Sequence, residues 1–431
     1  MTIYDVIGIG FGPSNLAVAA AISEDYKNIS ALFLEQKENF VWHQGMLIND
    51  TTMQISFLKD IVTLRNPNSK YSFLTYLHEN NRLENFANLR TFYPTRIEFN
   101  DYLTWVAKKL NKYVIYSQKV QNIQTTYIKK EKIIIVETKN ILTGEIEQKY
   151  ARNIILACGL TPKYTVSSKV NTSENLFHSA YYLQNIKTRN KESNLKFLVI
   201  GGGQSAAEIT KDLHSTFKNS SVTMAFSGFG LKPADDSEFV NEVFFTNSVD
   251  EFYKANCIAR EQILENHGDT NYAVVDIDLI KDLYRTSYEE QVIGEQRLNF
   301  KKMTKVTSIE EVNNKILVQY FDKINSTYQL DEFDVVVLAT GYTATTGVEL
   351  LKNIKGQLSL NEKHHLQVDR NYKIKNKEDL GIYLATGNEL THGLSDTLLS
   401  VLAVRANEIL SNIQSTLVTT KLENVSLSES A

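Results

Sequence analysis

Gly8, Gly10 and Gly12 form a turn at the end of a short strand-like run, residues 4–9, and an Ala-rich stretch starts at Leu16. A buried strand, a glycine turn and a helix start form the opening of a dinucleotide-binding βαβ unit. The chemistry this supports is phosphate binding. Glycines let the backbone approach a pyrophosphate, and a helix N-terminus offers free N–H groups and the positive end of a dipole. The third glycine of G-x-G-x-x-G would fall on Pro13, so the fingerprint departs from the usual form. The next strand, residues 30–34, ends in Glu35, where a carboxylate can hold a pair of ribose hydroxyls.

The pattern returns at residue 196. Residues 197–200 read as a parallel-type strand, Gly201, Gly203 and Ala206 make G-x-G-x-x-A, and a helix follows over 205–213. The strand after it, residues 221–226, ends at Ser227, where no acid stands to pair with a ribose 2′-hydroxyl. A carboxylate would repel a 2′-phosphate, so its absence favours NADP over NAD. No Arg stands there either, and Lys232 is the nearest cation along the chain, so NADH stays open. Two such turns match a flavoprotein that takes FAD at the first and a nicotinamide dinucleotide at the second.

Two sheets must hold these turns. The predicted fold class is α/β: two Rossmann-like dinucleotide-binding domains, for FAD and NADPH, with a small substrate-binding insertion. We place the FAD-binding domain at 1–165 and 334–414 and the NADPH-binding domain at 166–231 and 291–333. The insertion is placed at 232–290, and a loose polar tail at 415–431. Residues 73–79 and 99–110 have helical periodicity. Residues 114–116, 119–124 and 133–137 read as a small antiparallel sheet, and 300–309, 316–321 and 328–333 as a meander. Residues 153–159 and 334–342 are apolar runs ending in glycine, and the second signals re-entry into the first domain. Residues 380–386 give a last strand, and 392–413 a last helix capped by Ser395 or Asp396. Between Phe40 and Asp60, many aromatic and polar side chains crowd a loop-rich stretch, which suggests that they cover a ligand.

The chain has 431 residues, 42% hydrophobic and 22% charged, with a formal net charge of −4. This ordinary globular composition offers no basic field for nucleic acid or an anionic membrane. Cys158 and Cys257 are the only cysteines; without a C-x-x-C they argue against a redox dithiol and a thiolate metal site. The first strand begins near residue 3, leaving no room for a signal peptide, and no apolar run reaches about 18 residues. A reducing cytoplasm is the expected setting. No His, Asp and Ser are spaced like a hydrolase triad.

Longer motifs narrow the reading. They are Gly8-x-Gly-x-Gly-Pro-Ser-Asn-Leu16, Trp42-His43, Gln54-Ile-Ser-Phe-Leu-Lys-Asp60, Leu64-Arg-Asn-Pro67 and Glu98-Phe-Asn-Asp-Tyr-Leu103 in the first half. Gly201-Gly-Gly-Gln-Ser-Ala-Ala-Glu208, Lys232-Pro-Ala-Asp-Asp236, Thr270-Asn-Tyr272, Ala339-Thr-Gly-Tyr342 and the stretch from His392 to Ser400 follow. Together they resemble the microbial N-hydroxylating flavin monooxygenases, most of all the L-ornithine N5-monooxygenases of hydroxamate siderophore synthesis. The resemblance implies hydroxylation of a terminal primary amine with NADPH and O2. It implies that FAD lies along Gly8, Gly10, Gly12, Pro13, Glu35, Trp42, His43 and Gln54, with Val120, Thr397, Leu398 and Leu399 nearby. It places NADPH on Gly202, Gly203, Gln204 and Ser205. Lys59, Asn241, Asn271 and Ser400 match ornithine contacts, with Asn271 also at the nicotinamide ribose; Lys59 and Asn271 are thereby the candidate catalytic residues. Related enzymes are often tetramers, so a homo-oligomer is expected.

Other readings of these residues stay open. Lys59 precedes Asp60 and could pair with it, Asn241 and Asn271 could be turn formers, and His43 and His392 could be core histidines. The family usually has a small residue and Pro where this chain has Ser237-Glu238, and Ser227 stands where an Arg commonly meets the nicotinamide dinucleotide. Glu238 keeps lysine, putrescine, cadaverine and histamine open as substrates. A ketone-oxygenating flavoprotein and a flavin-binding module without catalysis are the rival classes.

Overall fold

Apolar runs buried on both faces make the parallel strands here, and alternating runs make the antiparallel ones. The computed structural model describes residues 1–164, 172–268, 273–344 and 346–429. The first sheet contains β1 (Ile3–Ile9), β2 (Ala31–Leu34), β3 (Val114–Ile115), β4 (Gln118–Ile128), β5 (Glu131–Asn140) and β6 (Ile146–Leu156). Its order is β3-β2-β1-β6-β5-β4. β6 is antiparallel to β5 and parallel to β1. The antiparallel strands expected from the sequence are therefore an extension of the parallel sheet through one long strand.

A crossing strand, β7 (Thr161–Pro162), leads to β8 (Leu176–His178), β9 (Lys196–Ile200) and β10 (Ser221–Ala225) of the second sheet. The insertion carries a two-stranded ribbon of β11 (Lys232–Pro233) and β12 (Val274–Val275), then the helix Ile277–Ile293. β13 (Leu298–Lys301) rejoins the second sheet, and β14 (Thr304–Val312), β15 (Lys315–Asp322) and β16 (Thr327–Phe333) form a meander. β17 (Val335–Leu338) pairs with β9 and β8. β18 (Tyr342–Thr343) crosses back beside β7, and β19 (Gly381–Leu384) pairs with β6.

The halves correspond bond by bond. Gly10 N donates to Leu34 O (2.8 Å) as Gly201 N does to Ala225 O (3.0 Å). Ala157 N donates to Ile9 O as Ala339 N does to Ile200 O. Ile141 N donates to Ser117 O as Lys323 N does to Met303 O. Ser117 and Met303 share a left-handed backbone, φ 58° and 50°.

This repeat corrects the sequence reading. Residues 334–342 do mirror 153–159, but as the counterpart strand of the second sheet; the chain returns to the first sheet only at β19. The run 300–309 breaks at Met303, whose positive φ lets 298–301 stay parallel while β14 turns into the meander. Residues 392–413 are not one helix: Leu394–Thr397 and Leu399–Val401 are 3₁₀ turns, and the helix is Leu402–Glu429. It continues where a loose tail was expected, and no Gly or Pro follows Gly393 to stop it. This helix lies against Pro13–Glu24, with Tyr26 Oη donating to Asn407 Oδ1 at 2.8 Å.

Candidate active site

The first glycine turn is shaped for a close ligand. Gly10 has φ +85°, and an added Cβ would lie 2.4 Å from Ala157 O. Gly12 caps the helix Pro13–Glu24 without a side-chain cap, the first turn has no acid, and an added Cβ would meet nothing within 4 Å. The N–H groups there are open to an anion, and Pro13 at the helix start forfeits no needed donor. Asn15 Nδ2 fixes the turn by donating to Gly10 O at 2.7 Å. Glu35 Oε2 accepts from Phe11 N (2.7 Å) and Oε1 from Lys37 N (2.9 Å). The buried carboxylate is thus held at the tip of β2, beside the turn.

The second turn repeats the shape. Gly201 has φ +150°, with an added Cβ 2.3 Å from Ala339 O. Gly203 caps the helix Gln204–Thr216, again with no side-chain cap and no acid in the first turn. Gly202 lies against Phe226. Ser205 begins the helix beside Gln204, whose side chain turns away from any anion. Gln204 Nε2 donates to Asp276 Oδ2 (2.8 Å) and Glu208 Oε1 (2.9 Å), and its Oε1 accepts from Asp276 N. Gln54 Nε2 donates to Asp276 Oδ1 at 3.1 Å. Arg96 makes a bidentate pair with Glu208, at 2.7 and 2.6 Å.

Gln54 and Gln204, expected at two different cofactors, therefore meet through Asp276. The network ties both nucleotide domains to the insertion. Sequence reasoning missed the parts of Arg96, Glu208 and Asp276; the available signal was an acid on the buried Ala-Ala-Glu-Ile face of the second nucleotide helix.

Three distant segments converge at the expected amine site. Lys59 ends the 3₁₀ turn Phe57–Lys59, which packs against Leu399–Val401. Lys59 is half-buried, its Nζ is 5.9 Å from the Phe245 ring centroid, and it forms no ion pair among the described residues. Asp60 is not its partner: that carboxylate accepts from Val62 N, Thr63 N, Thr63 Oγ1 and Phe73 N. Ser400 is 3% exposed, and its Oγ has no hydrogen-bond partner among the described residues. Asn241 ends the short helix Glu238–Asn241, and the next turn, Glu242–Phe244, packs on Leu394–Thr397. Glu238 is exposed. Asn271 lies outside the described residues. A cation and a buried hydroxyl on two packed turns, neither with a charged or hydrogen-bonding partner among the described residues, suit a small carboxylate-bearing ligand.

The remaining candidates divide. Trp42 packs edge-on against His43 and Phe99, and its backbone N–H donates to Asn100 Oδ1. His43 is exposed as a whole residue, yet desolvation of its imidazole, with Arg96 and Lys37 adding to it, lowers its pKa to about 4. Val120 turns its side chain into the apolar core, so only its backbone can face a ligand. Thr397, Leu398 and Leu399 are half-buried. Asp396 does not cap its own segment; it accepts from Gly387 N and Asn388 N and lies 3.5 Å from Arg405. His392 is a core residue: it stacks on Tyr372 at 4.2 Å, its Nε2 lies 3.2 Å from Arg370 O, and burial lowers its pKa to about 4. Among the described residues, no group of three or more His, Cys, Asp or Glu could hold a metal ion.

Two glycine turns, each before an uncapped helix and each on its own parallel sheet, define a two-dinucleotide oxidoreductase fold. The model of the L-lysine 6-monooxygenase/L-ornithine 5-monooxygenase family matches residues 2–344, and the chain belongs to that family. It is 37% identical to the L-ornithine N(5)-monooxygenase of Ajellomyces capsulatus, over 95% of this chain and 90% of that one. It is also 37% identical to the L-ornithine N(5)-monooxygenase of Pseudomonas aeruginosa, over 94% and 93%. The solved ornithine N-hydroxylase of Kutzneria sp. 744, a complex with reduced FAD, NADP+ and L-ornithine, superposes with a TM-score of 0.92. It is 36% identical, with 96% of this chain and 100% of that chain covered.

Proposed function

We propose that this protein hydroxylates the terminal primary amine of L-ornithine, with FAD, NADPH and O2, as a step toward a hydroxamate siderophore. The observation that carries the reading is Lys59, without an ion pair among the described residues, on a turn packed against the turn that carries the Ser400 hydroxyl, itself without a hydrogen-bond partner among the described residues, in a chain so similar to ornithine enzymes. Bound FAD supplies the oxygen-activating chemistry and NADPH the reducing equivalents. The glycine turns at Gly8, Gly10 and Gly12 and at Gly202 and Gly203 hold the two pyrophosphates. Lys59 takes the α-carboxylate, Asn241 and Asn271 orient the substrate, and Ser400 donates to it. The distal amine is thereby left free to react.

Its proton must leave first. An amine of pKa about 10.4 is mostly protonated at neutral pH, and His392 is neutral and committed to its core contacts. Turnover therefore rises with pH from about 6 to 9 while chemistry limits the rate; a flat profile under that condition counts against the proposal. The deciding experiment screens ornithine, lysine, putrescine, cadaverine and histamine with NADPH and with NADH, measuring hydroxylamine rather than nucleotide loss. A second reading, the same chemistry on one of the other amines, rests on Glu238, three residues before Asn241.

Among the described residues, no helix is long and apolar enough to cross a membrane. A cytoplasmic setting suits the two free cysteines, Cys158 and Cys257. We expect a homo-oligomer, tetrameric by resemblance, which sedimentation velocity decides.

A further inference from the structure

The repeat shows what replaces Glu35 in the second domain. Gly10 and Gly201 take the same bond from their sheets, so Leu34 corresponds to Ala225 and Glu35 to Phe226. Gln118 N donates to Glu35 O as Thr304 N does to Phe226 O, which confirms the match. The ribose position is therefore a buried phenylalanine, and Ser227 is one place beyond it.

The loops around this position also correspond. Ser117 and Met303 are equivalent, so Tyr116 of the first domain corresponds to Lys302 of the second. Ile141 corresponds to Lys323 through their matching bonds to Ser117 O and Met303 O. Where the first domain has one carboxylate flanked by Tyr116 and Ile141, the second has no carboxylate and two lysines. Lys323 Nζ donates to Ser227 O at 3.3 Å, and Lys302 Nζ is 5.6 Å from the Phe229 ring centroid. Both are exposed, and neither has an ion partner among the described residues. Their neighbour Lys301 differs: its Nζ is 2.9 Å from Asp331 and 3.2 Å from Gln329 Oε1. Asp322, beside Lys323, is occupied by Ile324 N, Asn325 N and Asn325 Nδ2.

We propose that Lys302 and Lys323 together form the 2′-phosphate subsite of the nicotinamide dinucleotide, in place of an arginine after β10. The adenosine ribose of a dinucleotide on Gly201–Gly203 lies at the end of the next strand, which is here Phe226 and Ser227. Two ammonium groups at that strand end, neither with an ion partner among the described residues, select a phosphate over a hydroxyl by charge-assisted hydrogen bonds. The proposal rests on the reading that the second turn takes NADPH.

The test uses the flavin-loaded full chain. Adenosine 2′,5′-bisphosphate and 5′-AMP are titrated by calorimetry, and steady-state constants are measured for NADPH and NADH. The bisphosphate binds the wild type about a hundredfold tighter than 5′-AMP, and each of Lys302→Ala and Lys323→Ala removes about tenfold of that preference. The double variant binds both probes alike. Its KM for NADPH rises, while its KM for NADH and kcat with either nucleotide stay at wild-type values. Lys302→Arg and Lys323→Arg keep the preference. A double variant that still prefers the bisphosphate overturns the subsite, as does a wild type that uses NADH and NADPH equally well while still making hydroxylamine. A wild type that prefers the bisphosphate but oxidises neither nucleotide keeps the subsite and overturns the monooxygenase reading.

Discussion

The first and second nucleotide domains are one design used twice with different tips. Gly10 and Gly201 are equally intolerant of a side chain, since each backs onto the carbonyl of an alanine, Ala157 or Ala339. The sheets, turns and uncapped helix starts are shared because any pyrophosphate needs them. The divergence is at the strand ends, where Glu35 faces Phe226 and Tyr116 and Ile141 face Lys302 and Lys323. Backbone geometry binds what dinucleotides have in common, and a few side chains past the strands tell one from another. The halves are joined by the β7–β18 ribbon, by the packing of Gln44–Met46 on Ser179–Tyr181 and Tyr182–Ile186, and by the Arg96–Glu208 pair with its Gln204–Asp276–Gln54 extension.

The sharpest break of this comparison is a pair of glycine substitutions. Gly10→Val abolishes flavin binding, read as loss of visible absorbance. Gly201→Val leaves the protein yellow, reducible by dithionite, but no longer reduced by NADPH. If both variants lose flavin, or both keep NADPH-driven reduction, the assignment of the two domains is wrong.

The joint between the domains comes next. Glu208→Ala leaves Arg96 without its partner at a largely buried site, a change of about 3–5 kcal/mol. Thermal unfolding begins at a lower temperature, while Glu332→Ala, at an exposed meander position, leaves the unfolding temperature unchanged. Lys59→Ala lies in neither nucleotide turn. It raises the KM for ornithine by about 10–100-fold while stopped-flow reduction of the flavin by NADPH stays at the wild-type rate. A parallel loss in both readouts would place Lys59 in the fold rather than at the substrate.

The smallest effect compares one buried histidine from each domain. His178 in β8 and His392 before the last helix both have pKa values lowered by burial to about 4. Because the folded values lie below the unfolded 6.5, the unfolded state binds more protons between pH 6.5 and 4. Their contribution is complete above pH 6.5 and is lost as pH falls, by about 1.4 kcal/mol each at pH 5.5. His178→Asn and His392→Asn each flatten that part of the stability–pH curve if the packing is otherwise kept.

Much of this could be read from residue types. Gly8 to Gly12 and Gly201 to Ala206 stand out because only small residues suit such turns, and the helices at 73–79 and after Gly203 follow from apolar spacing. What could not be read depended on partners far along the chain. Residues 334–342 resemble 153–159 because the second domain repeats the first, and no local pattern says which sheet a strand will join. Met303 hides a break because methionine seldom adopts positive φ, so 300–309 looks continuous. The apolar stretch before Leu402 has helical composition yet is held as two 3₁₀ turns, with Arg405 bonded to Ala385 O and to Asp396 O. The absence of an acid is legible after residues 221–226, but the sequence points to Ser227, one residue late, since only strand pairing aligns Phe226 with Glu35. Lys302 and Lys323 lie some 75 and 96 positions beyond Ser227, and folding alone brings Lys323 into contact with it.

The central claim is that the two nucleotide sites serve one reaction at the nitrogen of an amino acid. It is tested most directly by the ratio of N5-hydroxyornithine formed to NADPH oxidised, measured on the purified flavin-loaded chain with saturating L-ornithine and air. A ratio close to one is the result expected. NADPH oxidised to hydrogen peroxide alone, with no hydroxylated ornithine, would contradict the account.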